Sequence, residues 1–535
     1  MIDKHLAEER VSCRLCGSSD IWTAIPLHPL PVASPNVGRG SLVSELASAD
    51  VRQCNDCGHL QLATVVNPEF QYRHFKYSSG ISLGLREHFE RLIATLAASG
   101  DIAPNKFVVD IGSNDGSLLR CVQAHGARIL GIDPAEQIAK AATKSGIPTL
   151  ASFFSATVAK DVVRQQGPAD VVISNNTIAN IDDLAAFFDG IDCLLAKDGI
   201  LVIETQYALD VLTKTLLDVV YHEHVSYFAV RPMQRFLQAH GFMLIGAERI
   251  APKGGSIRFV AQRRGGPRTE DAGVSALIAE EERSGLYDKW LFEAFNARIR
   301  ELGQRVRDHL KESRRQTGRG LVYGASVGCA ALIHYFELGG LIDAVFDDTP
   351  LTNVVRTNNG AIPVLTGRQL VNEPPGNVVV LAWRYASPIA RGHEAFQAAG
   401  GRFFRALPDV ALVDGSEVLG SGFSNEQGQF TISGYRAPGA GGQVIYIPLA
   451  FFPDDGPAYG VAIPNDGATS TAPAMWSFST SNLPAPQGGV IPVGTQIIRA
   501  ENSGAMHIFS WLRTHLARAK KALHDRLRLE LGETS

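Results

Sequence analysis

Short runs of apolar and β-branched residues alternate with segments of helical periodicity between residues 107 and 205. The runs FVVDI, RILGID, DVVISNN and GILVIET are predicted to be buried strands, and helices are expected between them. This alternation predicts an α/β fold class with a doubly wound parallel sheet. A second series of the same kind, GRGLVYGASVGCAALIHYF, LIDAVFDDTP and NVVVLAW, predicts a second Rossmann-like domain that ends near residue 413.

The regions around these two domains have different patterns. Apolar residues at helical spacing between 85 and 96 predict a helix that begins near Ser82 and leads into the first domain. Residues 416 to 500 are rich in Gly, Pro, Ser and Thr and contain short β-like runs. Residues 505 to 532 predict a basic amphipathic helix. That helix could pack on its own chain, on a partner subunit in self-association, or on a membrane surface.

The charge balance excludes some classes of partner. The net charge is −4, and no basic stripe lies beside the cysteines, so we expect no nucleic-acid binding. No apolar run approaches the ~18 residues of a membrane span. The first ten residues, MIDKHLAEER, have mixed charge and no apolar core, so we expect no signal peptide. These features predict a cytoplasmic protein without a transmembrane segment.

Four of the seven cysteines form two CxxC pairs, each followed by glycine. The pairs are Cys13 with Cys16, and Cys54 with Cys57. Paired spacing in a reducing compartment indicates a metal site, because disulfides are rare there. Four soft thiolates suit tetrahedral Zn²⁺ and leave no ligand position open, so the zinc is expected to be structural.

The stretch FVVDIGSNDGSLL, residues 107 to 119, combines a strand, a glycine-rich turn and the start of a helix. This is the first half of a nucleotide-binding βαβ unit. The spacing Asp-x-Gly-x-x-x-Gly differs from the dinucleotide fingerprint and is typical of methyltransferases that use S-adenosylmethionine (SAM). The next predicted strand ends in Asp133, where an acid can accept hydrogen bonds from both ribose hydroxyls. The candidate cofactor contacts are Asp110, Gly112, Asn114, Asp115, Gly116, Asp133, Pro134, Phe154, Asn175 and Ser79. Phe154 could flank an adenine ring or pack in the core.

A dense cluster of titratable groups lies in DVVYHEHVSYF. Tyr221, His222, Glu223 and His224 suit acid–base chemistry, and a purely structural cluster is the alternative. A metal site is disfavoured, since the two histidines lack the i, i+4 spacing of a zinc-binding helix. If the segment is extended, His222 and His224 share one face. If it is helical, all four side chains fan around the axis.

The order of these features resembles the nucleotide-sugar C-methyltransferases, the ketosugar 3-C-methyltransferases of deoxysugar pathways. The motifs that carry the resemblance are CRLCG with CNDCG, YSSGIS, DIGSNDGSLL and YHEHVSYF, and it covers residues 11 to 413. It implies four regions: a zinc-binding segment (1–75), a SAM-dependent methyltransferase domain (76–250), a Rossmann-like substrate domain (251–413) and an extension of unknown role (414–535).

The resemblance also implies a reaction. A nucleoside-diphosphate-linked ketosugar is methylated beside its ketone, after a base has removed the α-proton. By similarity His224 is the base, Glu223 and Tyr221 orient it or contact the sugar, and Tyr77 donates a hydrogen bond to the keto oxygen. This chain departs from the family at three places. Asn180 stands where a histidine is frequent, so His222 could have taken over its duty. Val327 replaces a frequent lysine, and Arg356 is the lone cation of its segment.

Three hypotheses follow. The first is a SAM-dependent C-methyltransferase acting on a nucleotide-linked ketosugar. The second is a non-catalytic or redirected relative that binds SAM or a sugar nucleotide and carries a carbohydrate or assembly module at its C-terminus. The third, a zinc-ribbon methyltransferase that binds nucleic acid, lacks the expected basic surface.

Overall fold

The computed structural model describes residues 6–32, 46–73, 78–81, 84–350, 352–408 and 411–413, together with the backbone of seven strands between residues 417 and 507. The chain divides into two compact units, Met1–Asn372 and Glu373–Ser535. Each unit is described below by itself.

The N-terminal segment is built from short strands. They are β1 (Ala7–Glu9), β2 (Ile21–Ile25), β3 (Leu30–Pro31), β4 (Leu46–Ala47), β5 (Val51–Cys54), β6 (Leu60–Leu62) and β7 (Thr64–Val66), followed by helix α1 (Pro68–Tyr72). β1 pairs with β7, and β3 with β4. β2, β5 and β6 form an antiparallel sheet in which the two cysteine pairs lie next to strands and turns rather than helices.

The first α/β domain follows the alternation predicted from the sequence. Its elements are α2 (Leu85–Ala98), β8 (Phe107–Ile111), α3 (Ser117–Gln123), β9 (Arg128–Asp133), α4 (Glu136–Lys144), β10 (Thr149–Ala151), α5 (Ala156–Gln166), β11 (Ala169–Asn175), α6 (Leu184–Leu194), β12 (Leu195–Gln206), α7 (Ala208–Thr213), β13 (Ser226–Tyr227), α8 (Val230–Ala239), β14 (Phe242–Ile250) and β15 (Ser256–Arg263). Short 3-10 turns lie at Ser79–Ile81, Ile178–Asn180, Leu217–Val219 and Pro252–Gly254.

The central sheet has the order β10-β9-β8-β11-β12-β15-β14. Strands β8 to β12 are parallel, and β15 is antiparallel to both of its neighbours. The carboxyl ends of the parallel strands therefore meet at one edge, where open α/β sheets bind their ligands. The predicted apolar face of α2, with Phe89, Leu92 and Ile93, is buried on this sheet. The helix begins at Leu85, three residues after the predicted start.

The second α/β domain begins within the first unit. It comprises α9 (Ala272–Arg283), α10 (Lys289–Thr317), β16 (Leu321–Tyr323), α11 (Val327–Tyr335), β17 (Ala344–Asp347), β18 (Val354–Thr357) and β19 (Gly360–Thr366), with a 3-10 turn at Gly367–Asn372. β16, β17 and β19 are parallel, and β18 is antiparallel to β19. The predicted α/β fold class, with two Rossmann-like domains, is confirmed.

The second unit contains β20 (Asn377–Val380), α12 (Ala386–Gly392), α13 (Glu394–Ala398), β21 (Arg402–Arg405) and β22 (Ala411–Val413), with a 3-10 turn at Trp383–Tyr385. Seven strands follow: β23 (Glu417–Gly422), β24 (Phe430–Ile432), β25 (Ile445–Phe452), β26 (Gly456–Ile463), β27 (Trp476–Phe478), β28 (Ile497–Ala500) and β29 (Ser503–His507). Because β29 pairs with β28, the predicted terminal helix does not begin at residue 505. The rest of that prediction, residues 508–532, lies outside the described residues.

Candidate functional site

The glycine-rich turn after β8 depends on a close approach of its backbone to Thr177, in the loop that follows β11. Gly112 has a φ of +78°, and a Cβ there would lie 2.0 Å from Thr177 Oγ1, so only glycine fits. The Asp133 carboxylate holds the turn in place. Its oxygens accept hydrogen bonds from the backbone N–H groups of Asn114 and Ala135, each at 2.8 Å. The predicted acid at the end of β9 thus has a structural role in the turn itself.

Asp110, the last acid of the β8 run, is a buried carboxyl group with unused hydrogen-bonding capacity. Its Oδ1 has no hydrogen-bond partner among the described residues. Burial, and then the nearby charge of Asp133, raise the pKa of Asp110 to about 8. A positive charge next to this oxygen would favour the ionised form of the carboxyl group.

A small cavity opens beside this carboxyl group. It is lined by Ser79, Phe89, Asp110, Gly112, Ser113, Ser117, Leu118 and Asn175. Four of the predicted cofactor contacts (Ser79, Asp110, Gly112 and Asn175) are therefore brought together. Gly116 is the N-cap residue of helix α3, and Pro134 follows the acid at the end of β9. The Phe154 ring lies edge-on to Phe187, at 5.4 Å between centroids, so it packs on α6.

The loop before α2 covers the glycine-rich turn. Ser78 Oγ and the Gly80 N–H donate to Asp115 Oδ2, the latter at 2.8 Å. The Ser79 N–H donates to Asn114 Oδ1 at 2.9 Å. These contacts place Ser78, Ser79 and Gly80 over the turn. Tyr77 itself lies outside the described residues.

A buried charged network stands behind Asn175. The Glu204 carboxylate contacts His88 Nε2 at 2.6 Å and Arg258 Nε at 2.6 Å. The same carboxylate accepts a hydrogen bond from Asn175 Nδ2 at 2.7 Å. Burial by itself would raise the pKa of Glu204. The contacts of this carboxylate with His88 and Arg258 outweigh that effect, so its pKa is lowered overall. The ionised Glu204 therefore fixes the orientation of the Asn175 amide at the cavity wall.

Residues Tyr221 to His224 form a tight turn, which is neither of the two geometries considered from the sequence. The His224 N–H donates to Tyr221 O at 2.9 Å, and the two rings lie 4.3 Å apart. His224 Nδ1 lies 2.7 Å from Val219 O. A carbonyl oxygen only accepts, so Nδ1 carries the proton, and the lone pair is on Nε2. Gln206 Nε2 at 3.2 Å and Tyr221 OH at 3.4 Å donate to that lone pair.

His222 points away from His224. Its Nε2 lies 3.2 Å from Ser48 O in the N-terminal segment. The turn, unlike an extended strand, rotates successive side chains by unequal angles, so the two histidines do not share a face. The neighbouring 3-10 turn, Ile178–Asn180, contains Asn180, whose Oδ1 is buried with no hydrogen-bond partner among the described residues.

Burial shifts the titration of the two central groups in opposite directions. It lowers the pKa of His224 to about 3, with a further decrease from the charge of Lys253, so the imidazole is neutral above that pH. It raises the pKa of Glu223 to about 7, although the same lysine opposes the shift. Lys253 is exposed, with a φ of +57°, in the Pro252–Gly254 turn between β14 and β15.

The four predicted metal ligands are brought together. Their sulfur atoms all lie within 4.8 Å of one another, with Cys13 Sγ 3.6 Å from Cys57 Sγ and Cys16 Sγ 3.5 Å from Cys54 Sγ. Tetrahedral zinc–thiolate geometry needs about 3.8 Å between sulfurs. Gly17 and Gly58 close the two knuckles by donating to the carbonyls of the first cysteine of each pair, at 2.9 Å. The cluster could hold a metal ion.

The N-terminal segment that contains the four cysteines also contacts the Tyr221–His224 turn and its surroundings. β13, directly after that turn, joins the N-terminal sheet as a fourth strand beside β6. His59 Nε2 lies 3.2 Å from Ser226 Oγ, and Tyr72 OH donates to Glu223 O at 3.1 Å. Buried Arg14, between Cys13 and Cys16, pairs with Asp182 at 2.8 Å. The segment therefore supports two loops of the site.

Three residues of the site were missed from the sequence: Gln206, Glu204 and Lys253. The first two end the buried run GILVIETQ, and a polar cluster at the end of a strand was the signal that did identify Asn175. Lys253 precedes two glycines in a hairpin turn, and nothing in that pattern distinguishes a functional lysine from a solvated one.

Two family models match this chain. One, described as a methyltransferase domain, matches residues 84–246. The other, described as a C-methyltransferase C-terminal domain, matches residues 251–408. Their order follows that of the two α/β domains, and β15 of the first domain lies within the second match.

Similarity to individual proteins is more distant. The C-methyltransferase NovU of Streptomyces niveus is 26% identical over 417 residues, which are 76% of this chain and 98% of that protein. The magnesium protoporphyrin IX methyltransferase ChlM of Synechocystis PCC 6803, solved with bound SAH, is 18% identical, with 34% of this chain and 84% of that chain covered and a TM-score of 0.27. A likeness with so low a TM-score carries no argument for this chain.

No helix in the described part of the chain is long and apolar enough to cross a membrane.

The match that covers nearly the whole length of NovU and the two consecutive domain models agree with each other. Together they support the C-methyltransferase family for this chain, to whose members it is similar over both α/β domains.

Proposed function

We propose that this protein is a SAM-dependent C-methyltransferase that removes the α-proton of a nucleotide-linked ketosugar and methylates the resulting carbanion. The observation that carries the proposal is the hydrogen bond between Gln206 and His224 Nε2. Gln206 ends β12, next to β11, whose last residue Asn175 lines the cofactor cavity. A neutral imidazole, with its lone pair on Nε2, is thus tied to the same sheet edge as the cofactor cavity.

The cofactor cavity suits the cationic end of SAM. The unpartnered Asp110 oxygen would receive the ammonium group of the methionine moiety, and Asn175 and Ser79 would border it. The Asp133 carboxylate would accept hydrogen bonds from the ribose hydroxyls. It would use the lone pairs that are not engaged by its two backbone N–H donors. SAM supplies a methyl group on a sulfonium, which is an electrophile for carbon.

His224 Nε2 would take the proton from the carbon beside the ketone. The electron pair of that C–H bond moves toward the carbonyl, and negative charge develops on the keto oxygen. Val219 O, bonded to Nδ1–H, stabilises the imidazolium that forms. Ionised Glu223, in the same turn, adds a negative charge that favours the proton on His224, and its pKa of about 7 makes this contribution dependent on pH.

Two groups would stabilise the developing oxyanion. Tyr77, in the YSSG loop, would donate a hydrogen bond, as the family resemblance implies. Lys253 would supply positive charge, since its ammonium acts on both Glu223 and His224. Val327 and Arg356 would leave the diphosphate with fewer cationic contacts than in the family, so the nucleotide contacts are expected to be weaker.

The cysteine cluster would hold a structural Zn²⁺. Four thiolates complete a tetrahedral site and leave no position for a substrate or a water molecule. The ion would stabilise the short strands around it, which have a small apolar core of Ala7, Val32, Ala47 and Val66.

The test is isothermal titration of the full-length protein with SAM and with a panel of nucleoside-diphosphate 4-ketosugars, followed by mass spectrometry of the products. We expect a mass gain of one methylene and exchange of the α-proton with solvent deuterium. His224→Asn should reduce both rates by roughly 10²–10⁴ and leave SAM affinity unchanged. His222→Asn, whose side chain faces Ser48, should have a smaller effect.

Two outcomes would contradict this function. If SAM binds but no ketosugar is methylated, the protein is a non-catalytic or redirected relative. If His224→Asn retains methyl transfer and deuterium exchange, another group removes the proton, and Glu223, whose pKa lies nearest neutrality, becomes the base to examine.

A further inference from the structure

The second glycine-rich turn, Gly324 to Gly328, is built like the cofactor turn of the first domain. The Ala325 N–H donates to Asp347 Oδ2 at 2.8 Å, and the Thr349 N–H donates to Asp347 Oδ1 at 2.9 Å. Asp133 has the same two kinds of contact in the first domain. The turn therefore retains the framework of a nucleotide-binding turn, and helix α11 begins from it.

The first turn of α11 is occupied by another part of the chain. A Cβ on Gly328 would lie 2.2 Å from the backbone oxygen of Asp218, in the 3-10 turn Leu217–Val219. At this position a nucleotide-binding turn would receive a phosphate group. Here a backbone carbonyl, the negative end of a peptide dipole, faces the helix N-terminus instead.

The far end of α11 holds the same segment. Tyr335 is buried, and its hydroxyl donates to Val220 O at 2.8 Å. Helix α11 thus contacts the carbonyl groups of Asp218 and Val220. The carbonyl between them belongs to Val219, and it accepts the hydrogen bond of His224 Nδ1 at 2.7 Å.

We propose that helix α11 of the second domain positions His224 through Gly328 and Tyr335. By fixing the peptide groups on both sides of Val219, the helix fixes the carbonyl that selects the Nδ1–H tautomer and so places the lone pair on Nε2. Gly328 and Tyr335 are positioning residues, because neither touches the cofactor cavity or the His224 ring. Only the effect on turnover depends on the proposed function, since the contacts with residues 217–220 exist whatever His224 does.

The test uses four variants of the full-length protein. Tyr335→Phe removes one hydroxyl, and its control, Tyr323→Phe, removes a buried hydroxyl of the same domain that donates to Asp348 at 2.6 Å. Gly328→Ala adds a methyl group against Asp218 O. Its control, Gly340→Ala, adds one whose nearest neighbour is the Asn359 side chain at 3.5 Å.

Amide hydrogen exchange of the peptide covering residues 217–225 is the direct readout. It reports on the N–H groups of Val219 and Val220, which donate to Leu216 O at 3.2 Å and Leu217 O at 3.1 Å. We expect exchange to become about three- to tenfold faster in Tyr335→Phe and faster still in Gly328→Ala, with no change in either control. SAM affinity should be unchanged, and α-proton exchange of the ketosugar should slow by a similar factor.

Equal hydrogen exchange in the variants and their controls would overturn the proposal. Faster exchange in the 217–225 peptide without any loss of turnover would overturn the link to His224 while retaining the contact itself. Since His224→Asn tests the base separately, failure of the proposed function and failure of this positioning role give different results.

Discussion

The unpartnered carboxyl group of Asp110 leads to a quantitative expectation about cofactor binding. With a pKa of about 8, Asp110 is about 90% protonated at pH 7 in the free protein. Binding of a cation next to its free Oδ1 favours the carboxylate, so the proton must leave. We therefore expect SAM binding at pH 7 to release about 0.9 proton from this group.

The same argument predicts the pH dependence of affinity. Below pH 8 the free protein must first lose the proton of Asp110, so SAM affinity should rise about tenfold for each pH unit up to about 8. Above that value the α-amino group of the ligand itself begins to lose its proton, at about 7.7–8.0, and the gain should end.

Isothermal titration in two buffers of different ionisation enthalpy measures the released protons. Asp110→Asn should abolish the release and flatten the pH profile below 8. Asp115→Asn is the matched control. Burial raises the pKa of Asp115, but hydrogen bonds from Ser117, Ser78 and Gly80 lower it overall, so it is already ionised at pH 7. That variant should weaken the covering loop and leave proton release unchanged.

A release below about 0.2 proton at pH 7 in the unaltered protein would refute the reasoning. It would mean that Asp110 stays protonated in the complex and acts as a hydrogen-bond donor or a purely structural group. Equal release in Asp110→Asn would assign the proton to a different residue, with Asp133, whose pKa burial also raises, as the next to examine.

Three further predictions concern the metal, the pH profile and the ribose. Elemental analysis should find one zinc ion per chain. Cys54→Ser should lower the zinc content and expose residues 6–66 to protease, and freshly purified protein without zinc would contradict the metal site. Because burial raises the pKa of Glu223 to about 7, turnover should rise through pH 7 as this carboxyl group ionises. Glu223→Gln should remove the rise, and an unchanged pH profile in that variant would exclude the proposed electrostatic role of Glu223. Asp133→Ala should weaken SAM binding by about 1–3 kcal/mol, measured by titration, and unchanged affinity would exclude the ribose contact.

The local motifs were predictable because each is completed within a few residues. The alternation of apolar runs fixes the two α/β domains, since strands buried on both faces are continuously apolar. The CxxC pairs predicted the thiol cluster, which the structure shows. The spacing from Gly112 to Asp133 predicted a glycine-rich turn, and its cofactor role stays a prediction. Boundaries were less certain, as the start of α2 at Leu85 shows, because the end of a helix depends on its cap and not on its apolar face.

The arrangement of the Tyr221–His224 turn was not predictable. The sequence offered a strand or a helix, and both were wrong, because the turn is set by distant partners. β13 pairs with β6, His222 Nε2 contacts Ser48 O, and His224 Nδ1 contacts Val219 O. None of these contacts leaves a periodic pattern, since each joins two short segments that are far apart or irregular.

The amino-acid sequence by itself thus determined the α/β architecture, the glycine-rich turn next to Asp133 and the cluster of four cysteines. Their information is local and repeats along the chain. The tertiary structure alone decided which nitrogen of His224 holds the proton, that Glu223 titrates near neutrality, and that the second glycine-rich turn packs on the chain's own Asp218. Those properties arise from burial and from carbonyl groups that folding brings within hydrogen-bonding distance. Neither burial nor these distances can be read from the order of residues along the chain.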